Sequence, residues 1–277
     1  VRSVVVGVIA GAGALLGGCP VQAQWIVAHR GASHDAPENT LAAFQLAWEQ
    51  GADAIEGDFH LTRDGRIVCI HDEKTKRTSG EEHVVSASAL DELRRLDVGR
   101  WKGARWAGER IPTLEEVLAT VPAGKKIFME IKCGPEIVPA LKATLKNSGL
   151  RTEQAIVISF HEGVIAAVRR ELPEFKAYWL AGFQQNKQTK AYEPSVETVF
   201  QSLERLRPHG LDVQGNRDVV NEAFVRRLRD MQLEFHVWTI NDPEEARYFQ
   251  ALGVDSITTD RPGSLRRELH DASAGRR

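Results

Sequence analysis

The chain has 277 residues, 42% hydrophobic and 27% charged, with 36 Lys and Arg against 38 Asp and Glu for a formal net charge of −2. This composition supports a sizeable core and excludes disorder for most of the chain. The charge balance excludes a strongly basic nucleic-acid footprint, and three cysteines exclude a disulfide scaffold.

Residues 1–23 differ from the rest. Arg2 is their one charge, followed by an apolar run over residues 4–16. That run is shorter than the ~20 apolar residues of a comfortable transmembrane span. A basic start, an apolar middle and a small-residue end follow the plan of a secretory signal. Two processing readings compete. Val21-Gln22-Ala23 suits cleavage before Gln24, whereas Leu16-Gly17-Gly18-Cys19 resembles a bacterial lipoprotein box in which Cys19 is acylated. An uncleaved anchor is the third reading. The expectation is an exported protein, periplasmic or extracellular, with a folded unit over 24–266, a tail over 267–277, and membrane attachment only through a lipid at Cys19. Cys69 and Cys133 then remain, and two buried free thiols are expected.

From residue 24 onward, short β-branched runs alternate with amphipathic helices. Strands are expected at 25–29, 54–59, 126–131, 155–159, 177–180, 211–214, 235–239 and 256–259. Most are continuous apolar runs, as strands buried on both faces require. Asn39 or Thr40 caps a helix carrying Leu41, Phe44 and Trp48 that stops at Gly51. Thr113 and Glu116 form a capping box. Asp242-Pro243-Glu244-Glu245 supplies a cap, a first-turn proline and an acidic first turn. Eight strand–helix units without a glycine-rich dinucleotide fingerprint favour a closed (β/α)8 TIM barrel over a doubly wound sheet. One segment breaks the rhythm. Asp64-Gly65 between the apolar runs 59–62 and 67–70 signals a β-hairpin after the second strand. Residues 73–111 hold no convincing strand and are expected to form a small insertion on the barrel mouth.

Functional groups in a barrel project from the carboxyl ends of the strands. The first strand ends in His29-Arg30-Gly31, the second holds Glu56 and Asp58, the hairpin returns to His71-Asp72, the third ends in Glu130-Ile131-Lys132, and the seventh ends in Trp238-Thr239-Ile240-Asn241. Glu56 and Asp58, two apart on a strand, share one face. Carboxylates turned inward together are costly without a neutralising cation. With Glu130 they suggest one hard divalent cation, Mg²⁺ or Ca²⁺. The plain alternative is salt bridges to Arg30, Arg63 and Lys132. His29 and His71 flank this position and suit proton transfer near neutral pH. Arg30 and Lys132 suit an anionic substrate, most simply a phosphate. Trp238 either packs on a substrate's carbon chain or is a core aromatic. His60 is expected to face solvent and His236 to pack, while His161 is left open.

In order along the chain, His29-Arg30-Gly31 with Pro37-Glu38-Asn39-Thr40, Glu56-Gly57-Asp58, Thr62-Arg63-Asp64-Gly65, His71-Asp72, Glu130-Ile131-Lys132, Val237-Trp238-Thr239-Ile240-Asn241 and Thr258-Thr259-Asp260 resemble the signatures of the glycerophosphodiester phosphodiesterases. The stretch from Leu96-Asp97-Val98-Gly99 to Ile111-Pro112-Thr113-Leu114 resembles that family's insertion. The resemblance implies a TIM barrel that hydrolyses glycerophosphodiesters to sn-glycerol 3-phosphate and an alcohol. It places His29 and His71 as general acid and base, Glu56, Asp58 and Glu130 around Mg²⁺ or Ca²⁺, and Arg30 and Lys132 on the phosphate. Glu38, Asn39 and Trp238 would touch substrate or support the site, with Asn39 still open as a helix cap. A lysophospholipase D acting on lysophospholipids from the same barrel is the runner-up, and it needs an apolar groove that Val84, Val85 and Leu90 do not obviously supply. A non-catalytic binding barrel is the remaining alternative. If Cys19 is lipidated, five residues separate it from Trp25 at the amino face, so the mouth would point away from the membrane.

Overall fold

The computed structural model describes residues 24–274, with side chains through Leu269. The leader readings, Cys19 and the end of the tail lie outside the described residues. In chain order, β1 (Trp25–Ala28) precedes α1 (Leu41–Glu49), and β2 (Ala54–Leu61) turns back as β3 (Ile67–Cys69). The insertion carries α2 (Lys76–Ser79) and α3 (Leu90–Leu93), before α4 (Leu114–Leu118) and β4 (Lys126–Ile131). Then come α5 (Val138–Asn147), β5 (Ala155–Ser159), α6 (Glu162–Glu171) and β6 (Lys176–Ala181). A small hairpin of β7 (Gln184–Gln185) and β8 (Tyr192–Glu193) leads to α7 (Val196–Leu206), β9 (Gly210–Gln214) and α8 (Glu222–Asp230). The chain continues through β10 (Glu234–Trp238), α9 (Pro243–Ala251), β11 (Ser256–Thr259) and α10 (Pro262–Ala274).

Eight strands pair in parallel in the order β1-β11-β10-β9-β6-β5-β4-β2, and β2 pairs back onto β1 to close the ring. This is the expected TIM barrel. Each expected strand is present, with ends shifted by up to two residues. β3 lies outside the ring, antiparallel to the end of β2 with Phe59 opposite Cys69 and Leu61 opposite Ile67, which is the hairpin that Asp64-Gly65 signals. The β7–β8 hairpin was not expected, because its two-residue strands are polar and carry no apolar alternation.

Strand periodicity divides the apolar side chains between two compartments. Val27, Ala54, Phe128, Ile156, Ile158, Tyr178 and Leu180 fill the barrel interior. Alternate residues such as Ile55, Met129, Val157, Leu211 and Val237 meet the helices in the main core. In the insertion, Val85, Leu93, Leu96, Val98 and Ile111 pack with Val68 and Ile70 into a small core of their own. Val85 is therefore buried, and Leu90 packs against this cluster.

Local signals explain the element ends. Thr40, not Asn39, caps α1, and its hydroxyl accepts from Ala43 N. The capping box of Thr113 and Glu116 opens α4, and Asp242 caps α9 through Glu244 N and Glu245 N. His161 caps α6 by accepting from Gly163 N. His60 does not face solvent. It is 6% exposed because it continues the inward row Ala54, Glu56, Asp58, and its Nε2 donates to His71 O at 3.1 Å. His236 packs in the interior, stacked on Tyr178 at 4.3 Å between ring centroids. Cys69 and Cys133 are both free; Cys69 is buried, while Cys133 is only half-buried.

Candidate active site

Three carboxylates converge at the carboxyl ends of β2 and β4. Glu56, Asp58 and Glu130 each place an oxygen within 4.8 Å of the others, and all three are buried. Their charges do not balance within the protein. Arg30 Nε lies 3.2 Å from Asp58 Oδ2, and Lys132 Nζ lies 2.7 Å from Glu130 Oε1 and 3.5 Å from Asp58 Oδ1. Two cations thus face three acids. The salt bridges to Arg30 and Lys132 exist, but Arg63 is not part of them; it pairs with Glu92 in the insertion.

The remaining imbalance appears as displaced acidity. Burial, with the charges of Asp58 and Glu130, drives the Glu56 carboxyl well above its ordinary range. Burial and the charge of Asp58 push Glu130 up to about 7. Asp58 goes the other way: burial opposes ionisation, but Arg30, Lys132 and His71 outweigh it and hold the group below its ordinary value. Glu56 Oε1 is buried with no hydrogen-bond partner, and buried Asp58 Oδ1 has only the Lys132 ammonium 3.5 Å away. Orphaned carboxylate oxygens cost several kcal/mol unless something cationic meets them. An all-oxygen set of this kind suits a hard divalent cation.

Asn39 supports this cluster. It adopts φ 58°, which Asn tolerates better than most residues. Its Nδ2 donates to Asp58 Oδ2 at 2.8 Å, and its Oδ1 accepts from Asp58 N at 3.1 Å. The turn after β1 is equally specific. Arg30 has φ 54° and Gly31 φ 81°. A Cβ at Gly31 would sit 2.6 Å from the Ala43 carbonyl carbon, so only glycine lets this turn lie on α1. The turn aims Arg30 N at Glu56 Oε2, 2.9 Å away.

Each histidine is backed by an aspartate. His29 Nδ1 lies 2.7 Å from Asp260 Oδ1, and Asp260 also accepts from Ser33 Oγ at 3.0 Å and Asn241 Nδ2 at 2.6 Å. Burial opposes the Asp260 charge, yet these donors hold its carboxyl far below the ordinary range. An ionised Asp260 can only accept, so His29 Nδ1 carries the proton and Nε2 is left for chemistry. His71 Nδ1 lies 2.7 Å from Asp72 Oδ1 in the same arrangement. Burial lowers the His71 pKa despite the charge of Asp58 and the hydrogen bond to Asp72, which favours a neutral ring able to take a proton.

Sequence reasoning assigned no role to Asp260, Asn241 or Asp72, although it quoted all three within motifs. The missing signal is pairing across strand ends: Asp260 follows β11, the neighbour of β1 in the ring. It also passed over Asp212, an inward carboxyl on β9 with an unpartnered Oδ1 that burial and Glu130 drive well above the ordinary range. Glu38 accepts from Arg30 Nη1 at 3.0 Å. Trp238 lies at the end of β10, where its Nε1 donates to Asp212 O and its ring meets the exposed Phe160 edge-on at 5.5 Å.

A family model described as the glycerophosphoryl diester phosphodiesterase family matches residues 29–264. A glycerophosphodiester phosphodiesterase of Caldanaerobacter subterraneus subsp. tengcongensis is 34% identical over 246 residues, covering 87% of this chain and 95% of its own. Among solved structures, an Oleispira antarctica phosphodiesterase in complex with the product sn-glycerol-3-phosphate is 27% identical, with a TM-score of 0.78 over 89% of this chain and 96% of that one. A Thermotoga maritima glycerophosphodiester phosphodiesterase is 28% identical, with a TM-score of 0.69 over 88% and 98%. A match this long, in sequence and in fold, shows that the chain belongs to the glycerophosphoryl diester phosphodiesterase family.

Proposed function

We propose that this enzyme hydrolyses glycerophosphodiesters to sn-glycerol 3-phosphate and an alcohol, with His29 and His71 moving the protons and Glu56, Asp58 and Glu130 holding one divalent cation, Mg²⁺ or Ca²⁺. The observation that carries the reading is the buried acid triad with an orphaned oxygen, flanked by two histidines that are each fixed in one tautomer. Arg30 and Lys132 supply donors for phosphate oxygens beside the triad. One histidine takes the proton from the glycerol hydroxyl that attacks phosphorus. The other gives a proton to the alcohol oxygen as its bond to phosphorus breaks. Water then opens the cyclic phosphate with the two roles reversed. A bound cation would supply positive charge against the charge developing on the phosphoryl oxygens.

Soluble diesters fit better than lysolipids. Of the apolar residues Val84, Val85 and Leu90, which an acyl groove on the insertion would need, Val85 and Leu90 are taken up by the insertion's own core, and Val84 alone is exposed. We further read the leader as an export signal. A lipid at Cys19 would tether the amino end of β1, at the face opposite the mouth, and so favour substrates free in solution.

The test is incubation of the full chain with glycerophosphocholine or lysophosphatidylcholine in the presence of Mg²⁺ or Ca²⁺. The expected result is release of sn-glycerol 3-phosphate and choline from the first, with the lysolipid a poor substrate. A strong lysolipid preference would replace this reading with the lysophospholipase D one, and inertness toward both would favour a binding barrel.

A further inference from the structure

We propose that Arg77, on α2 of the insertion, is a positioning residue that locks His71 and Arg30 into one geometry. The inference rests on the functional reading above, in which His71 transfers a proton and Arg30 binds phosphate.

Arg77 uses its whole guanidinium on two acids. Its Nε donates to Asp72 Oδ2 at 2.7 Å and its Nη2 to Asp72 Oδ1 at 3.2 Å. On the other side, Nη1 donates to Glu38 Oε2 at 2.8 Å and Nη2 to Glu38 Oε1 at 2.7 Å. Both acids are relays. Asp72 Oδ1 also holds His71 Nδ1, and Glu38 Oε1 also accepts from Arg30 Nη1. The path therefore runs His71–Asp72–Arg77–Glu38–Arg30, from a proton-transfer group to a phosphate-binding group. Burial alone would raise the Asp72 pKa, but the hydrogen bonds from Arg77 and His71 hold it at about 2. Glu38 likewise stays below its ordinary range against burial, chiefly through Arg77.

A planar fork between two carboxylates fixes their relative orientation, which a point charge cannot do. Without Arg77, Asp72 is free to rotate away from His71. Glu38 is left to Arg30 alone and would draw that guanidinium off the phosphate. The insertion thereby contributes to the chemistry although none of its residues occupies the acid triad. Arg77 touches neither substrate nor reacting atoms in this scheme; it acts only through Asp72 and Glu38.

Steady-state kinetics on glycerophosphocholine with saturating cation test this, using the full chain and its Arg77→Ala, Arg77→Lys, Asp72→Ala, Asp72→Ala/Arg77→Ala, Glu38→Gln and Glu38→Gln/Arg77→Ala variants, with His71→Ala as control. Arg77→Ala is expected to lower kcat about ten- to a hundredfold, the range for losing a group that orients a ligand or base. Arg77→Lys should recover part of the loss. With Asp72 already replaced, removing Arg77 should change kcat less than about threefold, because the two act as a unit. A rise in KM for Arg77→Ala should likewise vanish in the Glu38→Gln background. Equal losses of kcat in the two Asp72 backgrounds would overturn the proposal. So would a loss that merely follows the melting temperature of the variants. If Arg77→Ala does not fold, an Arg77→Lys variant that folds and turns over like wild type would overturn it. If His71→Ala keeps full activity, the functional reading fails and this inference falls with it; an inactive His71→Ala beside additive Arg77 and Asp72 effects sinks this inference alone.

Discussion

Asp260 shows how much a single half-buried carboxylate can decide. It takes three side-chain donors, His29 Nδ1, Ser33 Oγ and Asn241 Nδ2, and thereby fixes which His29 nitrogen carries the proton. Replacing Asp260 by Asn keeps the shape but removes the charge that holds this tautomer. We expect kcat to fall on the order of a hundredfold or more with little change in fold, measured as turnover beside circular dichroism; a variant within a fewfold of wild type would mean that Asp260 does not orient His29. Asn39 makes the complementary case. Asn39→Ala deletes both side-chain contacts to the buried Asp58. The loss should cost about 2 kcal/mol in urea unfolding without added cation, since the Asp58 carboxylate loses a donor and its backbone N–H loses an acceptor, and unchanged stability would refute this. Asn39 also marks where local sequence rules mislead. It has a capping side chain two residues before a helix, yet Thr40 takes the cap, because the Asn39 side chain is engaged by β2, a contact 19 residues away.

At the level of elements, the barrel strands were legible because burial on both faces leaves a continuous apolar run, and the hairpin was legible because Asp-Gly is a strong turn signal. His29, Arg30, Glu56, Asp58, His71, Glu130 and Lys132 were readable because strand ends in a closed barrel share one mouth. The aspartates behind the histidines, Arg77 and the β7–β8 hairpin were not, since their partners are set by tertiary contacts. The insertion shows the same limit. Sequence gave it no strands, but not its reach: Arg77 meets Glu38, and Lys102 Nζ donates to Ser33 O beside Asp260. If these contacts position the two histidines, the insertion's own core should matter to both. Leu93, fully buried in that core, is the residue to weaken. Leu93→Ala should cost about 2–5 kcal/mol and lower kcat through loosened histidine supports, read by urea unfolding alongside turnover. Full turnover in a destabilised variant would show that the insertion does not hold the site.

For the whole molecule, both ends of the barrel hold carboxylates with cationic partners. The mouth holds the acid triad, while the opposite end holds Glu234, which meets Lys176 and Tyr178 and lies 3.7 Å from His236 Nε2. Burial opposes the Glu234 charge, but these groups hold its carboxyl well below the ordinary range. A depressed carboxylate adds stability above its unfolded-state pKa of about 4.3 and loses it as pH falls through the lower folded value. Glu234→Gln should therefore destabilise at pH 7, modestly because the side chain is one-third exposed. The gap from wild type should narrow below about pH 4. A gap independent of pH would show that the charge is not the source. The barrel brings the triad and both histidines to one mouth, and the central claim is that they act together. It is tested most directly by sn-glycerol 3-phosphate release from glycerophosphocholine by EDTA-stripped enzyme, before and after adding back Mg²⁺ or Ca²⁺, beside His29→Ala and His71→Ala. We predict no release without cation, recovery on adding one back, and at most a trace in either histidine variant. Equal turnover with and without cation, or full activity without a histidine, would contradict it.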